Sequence, residues 1–208
     1  VASLKGFPEE IGRAHLIKSL SSTDVEILVN TLETLGSLQS TETLDKLLVD
    51  RLLTHERSEV RRSVVSALSE IAPALKADKQ AGITPQLSLR LSQDQDLMVR
   101  LRAVEGLGRI PSEDSNFSLA ENIQTKNETL AIAIVKAFMA HKNQAGAEGL
   151  GSAMDHENAK VRATAYEGVK VFEDAKSKST LKTLLEKRLT REEDASLKEL
   201  ISTQLKSL

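Results

Sequence analysis

Apolar residues recur along this chain with a helical rather than an alternating period. From Asp96 to Ile110 the sequence reads D-L-M-V-R-L-R-A-V-E-G-L-G-R-I, with Val99, Ala103, Gly106, Leu107 and Ile110 at i, i+4, i+7, i+8 and i+11. Those offsets bring all five onto one stripe of an α-helix. The spacing returns as Val60, Val64, Ala67, Leu68, Ile71, as Leu130, Ile134, Ala137, Phe138, and as Val161, Ala165, Gly168, Val169, Phe172. It closes with Leu197, Ile201, Gln204, Leu205, Leu208, and a weaker copy starts near Asp24 with Leu28, Thr31, Leu32 and Leu35. Successive copies lie 31 to 39 residues apart, enough for two helices and two short turns. The i+7 position is Thr31, Ala67, Gly106, Ala137, Gly168 and Gln204, small in all copies but the last. Glycine inside a helix costs about 1 kcal/mol relative to alanine, so Gly106 and Gly168 predict another helix in close approach.

Between these stripes run shorter segments suited to the second helix of each hairpin. They are marked by Ile11, Leu16, Ile17 and Leu20 after Pro8, by Leu44, Leu47, Leu48 and Leu52 after Thr41, and by Leu181, Leu184, Leu185 and Leu189. Before Leu87 and Leu91, Thr84 is suited to cap a helix whose first residue is Pro85. The pieces around Leu119 to Ile123 and Ala145 to Met154 are short, and Gly146, Gly149 and Gly151 make the second the weakest helix of the series. Linkers such as Gln93-Asp94-Gln95 and Asp155-His156-Glu157-Asn158 are brief and polar, and none resembles an interdomain tether. The pattern therefore predicts an all-α fold, an α-solenoid with a right-handed superhelix, of about five to six αα-hairpins over residues 1–208 as a single domain. Neither Val1-Ala2-Ser3-Leu4 nor Leu205-Lys206-Ser207-Leu208 reads as a polar capping helix, so we expect a fragment or domain of a longer chain.

The succession Asp, Val-Arg, Ala, small-Leu resembles HEAT-type repeats, in particular the short bacterial class first noted in phycobilin lyases. Asp94 to Leu107, Asp155 to Val169 and Ser58 to Leu68 carry it best, whereas the segment from Asn127 has Ala131 where Arg61, Arg100 and Arg162 stand. The resemblance implies a hydrogen-bonded ladder between adjacent repeats, with Arg61, Arg100 and Arg162 paired to Asp94 and Asp155. It also implies protein binding on a concave face lined by the second helices.

Composition narrows the picture. Aromatic residues are 2% of the 208, so the core is built from Leu, Ile, Val and Ala, as helices packed on helices require. The 28 Lys and Arg nearly balance 30 Asp and Glu, which leaves no global basic footprint for nucleic acid. Cysteine is absent, which excludes disulfides, thiolate metal sites and a cysteine nucleophile within the chain. With no run of about 18 apolar residues and no charged-then-apolar leader in view, a cytoplasmic location is expected.

Candidate chemistry is sparse. His55-Glu56 and His156-Glu157 occupy corresponding turns, and the HEAT-like deoxyhypusine hydroxylases hold two irons through four such His-Glu dipeptides. Two pairs about 100 residues apart do not share one metal, so both read as solvated turns; no metal and no cofactor is expected. A bilin-lyase role, one alternative, is suggested by the repeat class alone and finds no aromatic pocket to support it. Gly146, Gly149 and Gly151 lack the Lys-Ser or Lys-Thr of a phosphate loop, and no Ser, His and Asp recur together, so no catalytic residue is nominated. Asn116-Phe117-Ser118 and Asn127-Glu128-Thr129 match glycan acceptors by chance.

In the segment 176–191, Lys176, Lys178, Lys182, Lys187, Arg188 and Arg191 face one acid, Glu186, which makes nucleic-acid binding the other alternative. The cations wrap around the helix, and no aromatics are interleaved for stacking. The reading is thus a non-enzymatic protein-binding scaffold or adaptor. Asp45, Lys46, Asp50, Gln86, Arg90, Lys182 and Arg188, beside the leucine stripes, are its expected partner-binding residues.

Overall fold

The computed structural model describes residues 9–48 and 50–208, apart from the side chains of residues 9–11 and 50. Among the described residues every regular element is helical. In order these are α1 (Glu9–Ser19), α2 (Val25–Ser37), α3 (Leu44–Leu47), α4 (Asp50–Leu53), α5 (Ser58–Ile71), α6 (Ala77–Gln93) and α7 (Leu97–Gly108). There follow α8 (Glu113–Asn122), α9 (Glu128–His141), α10 (Gln144–Ala153), α11 (Ala159–Gly168), α12 (Ala175–Leu189) and α13 (Ala195–Ser207).

The polar linkers start the helices. Asp24, Asn158 and Asp194 each accept two backbone N–H groups at the first turn of α2, α11 and α13, and Asp96 does the same for Met98 and Val99 in α7. Ser112, Asn127, Asn143 and Asp174 accept one N–H each before α8, α9, α10 and α12. Such caps are worth about 1 kcal/mol apiece. After α9, Lys142 ends the helix in the left-handed region at φ 47°.

The chain divides into two compact units, residues 1–106 and 107–208. In the first, α2 packs along α5, α3 and α4 rest on α5, and α1 lies against α2. In the second, α9, α11 and α13 are successive neighbours in one row, and α8, α10 and α12 form another. Each hairpin there buries its apolar stripe against the next, the arrangement of a helical repeat of the solenoid class.

The recurring stripes are the core. Val60, Val64, Ala67, Leu68 and Ile71 are buried, as are Leu130, Ile134, Ala137 and Phe138, and Val161, Ala165, Val169 and Phe172. In α13 only Leu197 and Ile201 are buried, and Gln204 and Leu205 are half-exposed. The two stripe glycines stand where another helix comes close. A β-carbon on Gly106 would lie 2.8 Å from Leu87 Cδ1, and one on Gly168 would lie 2.9 Å from Met139 Sδ.

Three local expectations need correction or bounds. Thr84 does not cap a helix: α6 starts eight residues before Pro85, Thr84 is buried, and its hydroxyl donates to the Gln80 carbonyl. A proline within a helix costs about 3 kcal/mol, but Ile83, Leu87 and Leu91 are fully buried on the same helix and contribute about 1.5–3 kcal/mol each. The glycine-rich stretch expected to be weakest is a regular helix, α10, because Gly146, Gly149 and Gly151 let neighbouring helices pack against its backbone. The core assignment of Ile11 and the reading of Val1-Ala2-Ser3-Leu4 lie outside the described residues.

Candidate binding clefts and two ion-pair clamps

Each unit contains one buried clamp in which an acid stands between two arginines. In the first, Arg61 of α5 donates through Nε and Nη2 to both oxygens of Asp94, at 2.7 and 2.8 Å. Arg61 Nη1 reaches the carbonyls of His55 and Glu56, tying the helix to the turn before it. Arg90, four residues before Asp94, lies 3.6 Å away and donates to the Leu53 carbonyl. Asp94 also accepts the N–H of Asp96. Burial opposes its charge, but the Arg61 hydrogen bonds, that N–H and the two guanidinium charges together hold its carboxyl below the usual range.

The second clamp repeats the first with a different acid. Arg162 of α11 donates through Nε and Nη2 to both oxygens of Glu192, each at 2.9 Å, and its Nη1 reaches the carbonyls of His156 and Glu157. Arg188, four residues before Glu192, approaches it at 3.7 Å. Tyr166, fully buried, donates its hydroxyl to Glu192 at 2.7 Å and accepts from Arg188 Nε at 3.0 Å. Burial works against the Glu192 charge, yet Arg162, Tyr166 and the Asp194 N–H overcome it and depress the carboxyl to about 2. Burial, and then the bond to Glu192, push the Tyr166 phenol up to about 12.

These contacts alter the ladder implied by the resemblance. Arg61 and Asp94 meet, but Arg162 pairs with Glu192 rather than Asp155, because a rung reaches forward to the acid opening the next repeat. Asp155 pairs instead with Arg188 at 2.8 Å. Arg100 meets no acid among the described residues and donates to the Leu91 carbonyl; in the sequence, Thr125 stands five residues before Leu130 where Asp94 and Glu192 precede Val99 and Leu197. That shared offset is the signal by which Glu192 could have been read from sequence; nothing in the sequence pointed to Tyr166.

The expected partner-binding residues separate by exposure. Asp45, Lys46 and Lys182 are exposed and Gln86 is half-buried. The side chain of Asp50 lies outside the described residues. Arg90 and Arg188 are the least accessible of the set: their side chains are only 12% and 18% exposed, and the clamps hold them, because a guanidinium beside a buried acid is drawn into hydrogen bonds.

Asp45 borders an open cleft of about 420 Å³ in the first unit. Glu42 and Asp45 stand on one side, Lys76 and Lys79 belong to the other segment of its lining, and Leu44 and Leu75 supply apolar surface. In the second unit Arg188 borders a notch of about 30 Å³, with Gly151, Met154, Asp155, Leu184, Lys187 and Arg191.

His156 is not in a solvated turn: it is buried, accepts the Asn158 N–H on Nδ1 at 2.9 Å, and donates from Nε2 to the Thr125 carbonyl at 3.1 Å. His55 accepts the Arg57 N–H in the same way. Both histidines close turns, and no group of three or more His, Asp or Glu able to hold a metal occurs among the described residues. Nor is any helix there long and apolar enough to cross a membrane.

Residues 84–169 match the family model described as HEAT repeats. That segment carries HEAT repeats. The fold of the chain is also that of other helical-repeat proteins. It matches the complex of CpcE and CpcF of phycocyanin lyase from Nostoc sp. PCC7120 with a TM-score of 0.59 at 18% identity, over 96% of this chain and 79% of that one. A designed armadillo repeat protein, YIII(Dq.V1)4CPAF in complex with peptide (KR)4, matches with a TM-score of 0.58 at 18% identity, over 92% and 97%. Another, YIII(Dq)4CqI, matches at 0.56 and 18%, over 93% and 98%. At such identities the likeness is one of fold. No curated protein matches the chain.

Proposed function

We propose that this HEAT-repeat chain is a non-enzymatic, cytoplasmic scaffold that binds a segment of another protein. The observation that carries the reading is the 420 Å³ cleft of the first unit, which falls within the size range of ligand sites. Its Asp45, Lys76 and Lys79 make no ion pair among the described residues, so acidic and basic groups are both free to engage a bound chain. Repeats of helical hairpins suit this task, because a rigid row of helices presents side chains at regular spacing. The designed armadillo protein described with the peptide (KR)4 supports the same mode here. Lys46, Gln86 and Lys182 extend the proposed partner-binding set, and Arg90 and Arg188 support it from within the clamps.

The test is affinity capture from extracts of the source organism, followed by mass spectrometry, with wild type beside the double variant Asp45→Lys, Lys79→Glu. The reading expects a protein captured by wild type and lost by the variant, whose thermal unfolding is unchanged because both positions are exposed. Equal capture by the two proteins, or loss of capture together with loss of fold, counts against it.

A further inference from the structure

The two clamps share a frame, and their differences identify residues the frame does not need. Arg61, Asp94 and Arg90 correspond to Arg162, Glu192 and Arg188, with the acid four residues after the second arginine in both. Beside that arginine the first clamp has Leu89 and Gln93, and the second has Lys187 and Arg191. Thr54, in the turn of the first, corresponds to Asp155 in the second. The first clamp is assembled without flanking cations, so Lys187 and Arg191 are not required to build one. Both are exposed, and neither makes an ion pair among the described residues.

Lys187, Arg188 and Arg191 rim the notch together with one acid, Asp155, over Gly151, Met154 and Leu184, so three cations face a single carboxylate there. Arg188 is held in place by Tyr166 on Nε and by Asp155 on Nη1. A β-carbon on Gly151 would lie 2.6 Å from Leu184 Cδ1, so glycine lets α10 and α12 close beneath the notch. The space of about 30 Å³ is that of one or two waters or a single carboxylate group. Asp155, whose side chain is 65% exposed, already shows a carboxylate accepting from this guanidinium at 2.8 Å.

We infer that this notch is a carboxylate-binding site that anchors one Asp or Glu side chain of an acidic segment in a protein partner. The inference rests on the scaffold reading above. Lys187 and Arg191 supply the charge, and the fixed Arg188 supplies orientation. Lys176, exposed three turns earlier on the same side of α12 as Lys187, extends the positive field to neighbouring acids of the same segment. Nucleic acid is the poorer occupant, because α12 carries no aromatic side chain on which a base would stack.

The test uses the full chain and a fluorescein-labelled (Glu-Ala)4 peptide followed by anisotropy. An oligothymidine of equal charge and inorganic phosphate serve as competitors. The variant Lys187→Leu, Arg191→Gln gives hydrophobic and neutral residues of the kind found beside the first clamp, and Lys187→Gln, Arg191→Gln controls for the added leucine. Peptide binding by wild type, weakened roughly tenfold in both variants with unchanged thermal unfolding, supports the site. Absent binding, equal binding by the variants, or displacement of the peptide by oligothymidine or phosphate at equal charge overturns it. The two readings fail separately. Partner capture lost on changing Asp45 and Lys79, with peptide binding indifferent to Lys187 and Arg191, removes the notch and leaves the scaffold.

Discussion

Replacing glycine by alanine at two helical positions should change stability in opposite directions. Gly82 in α6 has nothing within 4 Å of where a β-carbon would go, so Gly82→Ala adds only helix propensity and should stabilise by about 1 kcal/mol. Gly149 in α10 faces the buried ring of Phe138: a β-carbon there would lie 2.9 Å from Cγ and closer still to Cδ1 and Cε1. The ring is enclosed and cannot swing away without moving its neighbours, and overpacking of this kind costs about 1–3 kcal/mol or more. Set against the propensity gain, Gly149→Ala should destabilise by about 1–2 kcal/mol. For a chain of this length each kcal/mol moves the Tm by about 2–4 °C, so thermal unfolding followed by circular dichroism should show Gly82→Ala rising and Gly149→Ala falling. Adding Phe138→Leu to Gly149→Ala should cost less than the sum of the two single changes, with a coupling of about 1 kcal/mol. A rise in Tm for Gly149→Ala, or strict additivity with Phe138→Leu, would refute the packing described for α9 and α10.

The remaining predictions concern the clamps and the stripe. Glu192→Gln leaves Arg162 without its charged partner in a nearly buried site and should cost about 3 kcal/mol, read as a lower urea midpoint at pH 7. The Glu192 carboxyl titrates near 4.5 when unfolded and about 2 when folded, so the unfolded chain binds more protons between those values. Its contribution is therefore complete above about pH 4.5 and is lost as pH falls toward about 2, and Glu192→Gln should flatten that part of the stability profile. Tyr166→Phe removes one donor to Glu192 and should destabilise by about 1–2 kcal/mol, with a smaller effect at acid pH where Glu192 protonates. Gly106→Leu should lower the Tm, since its side chain must displace Leu87 and Ser69 at a cost of about 1–3 kcal/mol or more; an unchanged melting temperature would argue against that contact.

What was legible in the sequence follows from the range of the forces involved. The stripe Val99, Ala103, Leu107, Ile110 and its copies predicted the helical repeat because a helix face is defined by local spacing alone. Asp94 and Arg61 were legible as a rung because both belong to the repeated pattern. Glu192 was missed because its repeat carries Glu for Asp at a different distance along the chain, and only its offset from Leu197 betrays the equivalence. The cleft beside Asp45 had no signature, since its lining comes from two segments, 41–45 and 74–79, that meet only when folded.

By itself, then, the sequence determined the periodicity, the helical class, and the need for small residues at Gly106 and Gly168. The tertiary structure decided the rest. It carried α6 through Pro85 because burial of its leucines outweighed the proline, and it made a firm helix of Gly146, Gly149 and Gly151 by packing side chains onto their backbone. It drew Arg90 and Arg188 inward as clamp residues, while Lys187 and Arg191 stayed exposed and without an ion pair among the described residues. Local spacing determines which face of a helix is apolar, but the pairing of charges and the space between helices depend on what the folded neighbours bring within a few ångströms.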